Sequence, residues 1–456
     1  MNGGKWDDSY GKIAQAKTLF LREFWAKKDR CFMAECVYLC IDLKSFFASV
    51  ECVERGLDSM TTHLVVADPE RSDKTICLAV SPSLKALGVA NRCRVFEIPR
   101  NIDYIMAEPR MQKYIDYAAK IYGIYLRYIA AEDIHVYSID EAFIDVTHYL
   151  PYYKKTAKEM AVFLMDTIFQ EVGIRATCGI GTNLYLAKIA LDITAKHSPD
   201  FIGILDEKAY QKTLWEHRPL TDFWRIGSGT AHRLELHGIR TMKQIAHAEE
   251  ERLYRLFGVD AELLIDHAWG REPVSIADIK AYKPKTSSLT RGQVLMRDYA
   301  FDEGKLIVRE MMDLLCLDLV DRDLVTDFVS LQVWYSGRFH AELANGSFST
   351  KTHTSDDRIL VPAVARLYER IVEKDKTIRR VNLTCGRVLP DTGVRQLTLF
   401  DVLDGTDEER DRRVQKAILR IQHRYGKNAL LKGMNFEEAA TTPERNKQIG
   451  GHKSGQ

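Results

Sequence analysis

Residues 135–147 read His-Val-Tyr-Ser-Ile-Asp-Glu-Ala-Phe-Ile-Asp-Val-Thr, an apolar, β-branched run broken by two adjacent carboxylates, Asp140 and Glu141. Like charges side by side in chain bound for a core raise each other's pKa and cost desolvation energy unless a cation offsets them. Strict alternation along a strand would send the two acids to opposite faces. A hairpin bend between "IHVYSI" and "AFIDV" lets both converge on one edge. A third acid, Asp42, ends the apolar run "VYLCID" just where a helical pattern begins. Three carboxylates at strand ends of one sheet make a hard, oxygen-rich site suited to magnesium or manganese. Two such ions about 4 Å apart would activate a hydroxyl and stabilise a pyrophosphate leaving group. The same spacing also fits a polar turn at 140–141 with Asp42 capping the next helix.

The flanking sequence predicts a sheet around these acids. "CVYLCID" (36–42) is a buried-strand run, and "LKSFFASVECVERG" has helical periodicity ending at Gly56. "HLVVAD" and "TICLAVS" are short strands, followed by a small, basic, loop-rich insert carrying Lys85, Arg92, Arg94 and Arg100. "MQKYIDYAAKIYGIYLRYI" reads as a long helix before the acid pair. A helix near 152–170, the strand "IRATCGIG" and the helix "NLYLAKIALDITAK" come after it. Strands and helices alternate through about residue 205, which predicts a mixed-sheet α/β domain. Residues 206–275 pattern as all-helical, and 276–286 as a polar linker around Pro284. Residues 287–390 parse as strand, helix, two strands, helix, strand, a split βαββαβ unit. The segment 1–35 is an extension with one amphipathic stretch. In the tail 391–456, the part after 405 is expected to be helical to about 422 and then polar and flexible.

Composition bounds the function classes. At 456 residues the chain is too long for one core, so several domains are expected. Apolar content of 46% with 28% charged residues describes a globular protein. No window approaches a membrane span, and "MNGGKWDDSYGK" has no signal-peptide core, so a cytoplasmic location is expected. The nine cysteines show neither CxxC pairs nor zinc spacing and read as small buried residues in a reducing compartment. A net charge of +1 leaves any phosphate-binding face to local clustering.

Candidate phosphate holders lie in "NLYLAKIALDITAK", where Lys188, Asp192 and Lys196 fall at i, i+4 and i+8. Asp192 can orient one lysine while Lys196 reaches out, although a solvated salt-bridge face has the same pattern. "GIGTNL" is no dinucleotide fingerprint, because Leu184 stands at the third glycine's place, and no GxxxxGK[ST] loop occurs. "FWRIGSGTAHRLELHGI" has a short helix, a Gly-x-Gly hairpin (Gly227, Gly229) and a second helix closed by Gly238. Such a helix-hairpin-helix can hold a DNA phosphate on its turn amides, and an ordinary helical turn reads the same way.

Four stretches together carry a resemblance: "IDLKSFFASVE" (41–51), "YSIDEAFIDVT" (137–147), "CGIGTNLYLAKIALDITAK" (178–196) and "WRIGSGTAHRL" (224–234). In this order they resemble the Y-family translesion DNA polymerases, within them the UmuC-like branch, from about Val37 to Phe400. The resemblance implies a palm with small fingers (36–205, fingers about 68–107), a helical thumb (206–275) and a little finger (287–390). It implies that Asp42, Asp140 and Glu141, with the carbonyl of Leu43, hold two magnesium (or manganese) ions. Phe47 would be the steric gate that excludes a ribonucleotide 2′-hydroxyl, and Ser81, Lys85 and Lys196 would contact the incoming triphosphate. Gly227 and Gly229 would contact DNA. The implied reaction is template-directed, error-prone addition of deoxynucleotides to a primer 3′-hydroxyl past damaged bases, with damage-induced expression by family analogy.

"QLTLF" (396–400) looks like a bacterial sliding-clamp peptide, with Gln396, Leu397, Leu399 and Phe400 as anchors for a preformed pocket. Primer-template DNA and dNTP are the other implied partners, with a UmuD-like or RecA-type accessory. Two features depart from the family pattern. Lys44 stands where many members carry an acid, and Pro82 where the DinB-like branch has a triphosphate-contacting tyrosine. The competing readings are a palm-type nucleotide cyclase and a non-catalytic DNA-binding subunit. Neither accounts as well for duplex-gripping segments together with three costly acids.

Overall fold

The structure is a computed structural model that describes residues 36–284, 287–392 and 408–455. Its strands are β1 (Tyr38–Leu43), β2 (Leu64–Val66), β3 (Ala79–Val80), β4 (Ile105–Ala107), β5 (Ile134–Val136), β6 (Glu141–Asp145), β7 (Ala176–Gly181), β8 (Ile202–Leu205), β9 (Leu289–Tyr299), β10 (Leu324–Tyr335), β11 (Ala344–Thr354), β12 (Ile378–Gly386) and β13 (Leu389–Pro390), with a short terminal pair β14 (Gln448–Ile449) and β15 (His452–Lys453). The chain divides into two compact units, one ending at Tyr282 and one beginning at Lys283, with Pro109–Gln112 assigned to the second.

In the first unit a five-stranded sheet runs β5-β6-β1-β7-β8. Strand β1 is central and antiparallel to both neighbours, while β7 and β8 are parallel. Leu39, Cys40 and Ile41 are fully buried, as expected where both faces of a strand are covered and the sequence is continuously apolar. Each such Leu or Ile contributes about 1.5–3 kcal/mol of burial free energy. Gly179 and Gly181 on β7 let the helix Leu184–Ile189 approach the sheet. A Cβ at 179 would meet the Ala187 carbonyl oxygen at 2.0 Å, and one at 181 the Ala187 nitrogen at 2.2 Å. This close packing brings the lysine-bearing helix down onto the acid-bearing strands. The glycines that fail as a dinucleotide motif thus serve helix–sheet contact.

A small sheet, β3-β2-β4, has its own core of Val65, Ala67, Cys77, Val80, Leu84, Val89, Cys93 and Ile98. The helical segment after Asp206 shares one core with the helix Leu184–Ile189, through Tyr185, Leu186, Tyr210, Phe223 and Leu264. The element preceding its Gly-x-Gly turn is a single 3-10 turn, Leu220–Asp222, instead of the expected short α-helix. The expected linker 276–286 needs correcting as well. Ser275 caps a helix, Ile276–Ala281, and Ile276 is buried against Tyr38, Cys40 and Phe143. Its isoleucines at 276 and 279 form a small apolar face that the polar composition concealed.

The second unit carries the expected strand-helix-strand-strand-helix-strand order, with sheet order β11-β10-β12-β9 and all pairs antiparallel. Helices Phe301–Asp321 and Asp357–Ile371 contribute Ile307, Met311, Leu315, Leu360, Val364 and Leu367 to one core with the sheet. The tail differs from expectation: beyond its helix Glu408–Tyr425 it is packed, not loose. Glu310, almost fully buried, accepts hydrogen bonds from Asn435 Nδ2 (2.8 Å) and the backbone N–H groups of Thr441 (2.8 Å) and Thr442 (3.3 Å). Lys432 pairs with Asp313 and Asp357. A polar tail therefore docks through charge and hydrogen bonds, a mode that hydrophobic periodicity does not reveal. Segments 1–35 and 393–407, the latter including Gln396, Leu397, Leu399 and Phe400, lie outside the described residues. The described cysteines are all free, and all but Cys36 are buried. Among the described residues no helix is long and apolar enough to cross a membrane.

Candidate active site

The acids lie at neighbouring strand ends of the five-stranded sheet. Asp42 pairs in register with Glu141, the first residue of β6, and Leu43 N–H donates to the Asp140 carbonyl at 2.9 Å. The turn between β5 and β6 is closed by Tyr137 and Ser138 N–H groups donating to the Glu141 carbonyl at 2.9 and 3.1 Å. Ser138 Oγ donates to Asp140 Oδ1 at 2.6 Å and fixes that carboxylate beside the turn. The hairpin expected from the sequence is therefore present, with Asp140 in the turn and Glu141 on the strand.

The charge at these strand ends is only partly compensated. Burial, then Asp140 and Glu141, push the Asp42 carboxyl up to about 7, against the weaker pull of Lys188 and Lys196. Glu141 has a cation of its own. Lys188 Nζ lies 2.8 Å from Glu141 Oε2, and the Cys40 thiol donates to Oε1 at 3.1 Å. Burial lowers the proton affinity of Lys188, but Asp192 and then Glu141 outweigh it and hold the ammonium well above its ordinary range. From the sequence alone, Lys188 is only one member of a lysine-bearing helix face. The missed signal was the glycine pair on β7, which sets that face against the acids.

The segment Ala190–Thr194 is a π-helical turn, and a 3-10 turn, Ala195–His197, follows. Such turns redirect side chains that a regular helix would space evenly. Asp192 is shared between Lys188 Nζ at 3.1 Å and Lys196 Nζ at 3.4 Å. On the other side Lys85 Nζ donates to Ser45 Oγ at 2.9 Å. Ser45 holds a left-handed backbone (φ 47°) between β1 and the helix Phe46–Glu54. A strained non-glycine residue at this point is a cost that functional sites commonly carry.

Phe46 is buried, while Phe47 is half-buried and stacks on Tyr114, with centroids 4.5 Å apart and planes at 15°. Tyr114 is fixed in turn by its hydroxyl on Glu51 Oε1 at 2.8 Å. Ser81 is placed differently from the other triphosphate candidates. It is fully buried, accepts from Leu64 N–H at 3.1 Å and shares a hydrogen bond with Ser83 Oγ at 3.0 Å. It is the N-cap of the helix Pro82–Ala86, and its carbonyl accepts from the Lys85 N–H at 3.0 Å. Gly227 caps the helix Ser228–Leu236, and a Cβ at Gly227 or Gly229 would meet nothing within 4 Å. Their own chain does not require glycine there, which leaves room for an outside group to approach the backbone.

Among the described residues no group of three or more His, Cys, Asp and Glu side chains is gathered closely enough to hold a metal ion as it stands. The donor chemistry nevertheless fits a hard divalent cation. All the donors are oxygens, and the proton affinity of Asp42 is raised first by burial and then by the negative charge of Asp140 and Glu141.

The chain matches the impB/mucB/samB family over residues 41–192 and that family's C-terminal domain over residues 287–399. It is 31% identical over 422 residues to UvrX of Bacillus subtilis (strain 168), a protein named for UV-damage repair, covering 91% of this chain and 97% of that one. It is 28% identical to DNA polymerase IV 2 of Halalkalibacterium halodurans (91% of this chain, 99% of the relative) and 29% identical to DNA polymerase IV 2 of Bacillus subtilis (92% and 99%). A Y-family DNA polymerase chimera of Dbh and Dpo4 shares the fold, with a TM-score of 0.61 at 19% identity, covering 78% of this chain and 99% of the chimera. The chain belongs to the impB/mucB/samB family, the UmuC- and DinB-type Y-family polymerases.

Proposed function

We propose that this protein is a DNA-directed DNA polymerase that extends primers past damaged template bases, with its chemistry at Asp42, Asp140 and Glu141. The carrying observation is the pairing of Asp42 with Glu141 across β1 and β6, beside Asp140 in its turn. The polymerase names of relatives matched along nearly their whole length support the reaction class. A cyclase or a non-catalytic subunit is not favoured by relatives of that kind.

Asp42, Asp140, Glu141 and the Leu43 carbonyl would hold the divalent ions, magnesium or manganese. Bound there, the ions supply Lewis acidity for nucleotidyl transfer. The chain's own residues do the rest. Lys188 holds Glu141 at its strand end, and Ser138 holds Asp140 in the turn. Lys85 and Lys196 present ammonium groups to the triphosphate of a dNTP, with Ser81 bracing Lys85 from within the small sheet. Phe47, held by Tyr114, sits under the sugar and leaves no room for a 2′-hydroxyl. The first unit corresponds to palm, fingers and thumb, and the second to the little finger. Gly227 and Gly229 would receive a DNA phosphate at the start of the helix Ser228–Leu236. Docking on a sliding clamp through Gln396–Phe400 belongs to the proposal on the sequence alone.

The test is primer extension on a template carrying an abasic site or a pyrimidine dimer, beside an undamaged control. The reading expects extension past the lesion within about tenfold of the control. Extension that stops one nucleotide before every lesion would contradict it.

A further inference from the structure

Trp224 stands three residues before Gly227 and has no part in the chemistry above. The chain is tightly held here. Arg225 takes a left-handed backbone (φ 72°), Ile226 is buried in the helical core, and the Ile226 N–H donates to the Phe223 carbonyl at 3.1 Å. The half-buried indole packs against two cores at once. One is the helical core that contains Tyr185 and Phe223, and the other is the small core that Tyr38, Cys40 and Phe143 form on the sheet. Its ring centroid lies 5.9 Å from that of Phe143 and 6.1 Å from that of His267, to which it is nearly parallel (17°).

The indole N–H is directed at the acid hairpin. Trp224 Nε1 donates to the Tyr137 hydroxyl at 3.1 Å, with the rings edge to face at 80° and 5.9 Å between centroids. Tyr137 precedes Ser138, which fixes the Asp140 carboxylate, and its own N–H donates to the Glu141 carbonyl at 2.9 Å. Its ring stands edge-on to Phe143 at 5.7 Å, and Lys188 Nζ, the cation on Glu141, is 5.9 Å from its centroid. The hairpin nevertheless projects from the sheet: Val136 and Tyr137 are 52% and 45% exposed. A turn with so little buried surface opens easily unless something outside it holds it. Packing explains where the indole ring lies but not the direction of its N–H. That bond ties the acid hairpin to the segment leading into Gly227 and Gly229.

We propose that Trp224 is a positioning residue for the reaction: through Tyr137 it fastens the turn bearing Asp140 to the Gly227–Gly229 turn, so that a duplex held at one is held in register with the acids at the other. Its effect is on orientation, the part of catalysis most sensitive to small displacements of the reacting groups. Trp224 itself contacts neither the DNA nor the nucleotide. This inference rests on the nucleotidyl-transfer reading of the site and on its DNA-holding turn.

Trp224→Phe keeps a ring between the two cores and removes the N–H, and Tyr137→Phe removes the hydroxyl from an exposed ring. In single-turnover extension with the full chain at saturating magnesium and dNTP, each variant should be slowed about fivefold, the worth of one neutral hydrogen bond. The dNTP KM and the primer-template affinity should stay close to wild type. The double variant should be no slower than the slower single variant, since both changes remove the same bond. On primers too short for their duplex to reach the Gly227–Gly229 turn, every variant should match the wild type. Extension by Trp224→Phe at the wild-type rate overturns the inference, even with a lowered thermal midpoint, because packing alone predicts that pattern. So does slowing that is the same at every duplex length, which would confine Trp224 to the shape of the hairpin, and so does additive slowing in the double variant. Weaker primer-template binding at an unchanged rate overturns it as well and would put Trp224 on DNA. If Trp224→Phe does not fold, Tyr137→Phe carries the rate and duplex-length tests. An inactive Asp140→Asn together with unaffected Trp224→Phe and Tyr137→Phe overturns this inference alone, whereas an active Asp140→Asn overturns the reading beneath it.

Discussion

Lys188 Nζ stands 2.8 Å from Glu141 Oε2, and the two side chains are only 10% and 9% exposed. An ion pair this deep is strongly directional in what its loss does. Removing one partner strands the other charge in a poorly hydrated place, at a cost of about 3–5 kcal/mol. Lys188→Met should therefore lower the denaturant midpoint markedly, and the double variant with Glu141→Gln should recover a good part of that loss. Urea titrations of the four members of this double-mutant cycle measure the coupling. Additive effects of the two single changes would contradict a direct pair.

Asp42 gives the metal-free protein a pH signature. Its folded pKa, about 7, lies above the ordinary carboxylate value of 3.8 because of burial and then Asp140 and Glu141. The folded state thus binds this proton more tightly than the unfolded state. The associated stability is fully present below pH 4 and is lost as pH rises through 7. In a chelator, Asp42→Asn should not suffer this loss, so it should gain stability relative to the wild type between pH 5 and 8. Thermal midpoints of both proteins across that range check this. A constant difference across the range would show that Asp42 titrates normally.

Phe47 is held by its stack on Tyr114 and not by burial, so its removal should leave the core intact. Phe47→Ala should admit ribonucleotides, lowering discrimination against rNTP by about a hundredfold or more, roughly 2.7 kcal/mol on the usual scale, while thermal stability changes little. Incorporation assays with matched dNTP and rNTP measure it. Unchanged sugar selectivity would remove Phe47 from the gate.

The hairpin carrying Asp140 and Glu141 was legible because its cost is local: adjacent carboxylates in an apolar run need an explanation that the sequence itself demands. The strand–helix alternation and the βαββαβ order were also legible, since both rest on short-range periodicity. The partner of Glu141 was not. Lys188 reaches it from 47 residues away, and only the close approach at Gly179 and Gly181 makes the contact. Where the Ser81 hydroxyl points was not legible either, because a serine at a helix start reads alike whether its hydroxyl faces a ligand or, as here, Leu64 and Ser83. The packed tail was hidden for a related reason. Glu310 and Asp313 look like solvated charges until the fold buries them, Asp313 against the half-buried Lys432.

The central claim is that the site built from β1 and β6 carries out nucleotidyl transfer, and magnesium-dependent primer extension by Asp140→Asn tests it most directly. Asp140 lies in the turn, where its carboxylate is fixed by Ser138, so an isosteric amide should not disturb the fold. The expected result is a loss of extension by at least about a thousandfold, comparable to about 4 kcal/mol of transition-state stabilisation, with primer-template affinity within a few-fold of wild type. Extension at the wild-type rate by the folded variant would contradict the account.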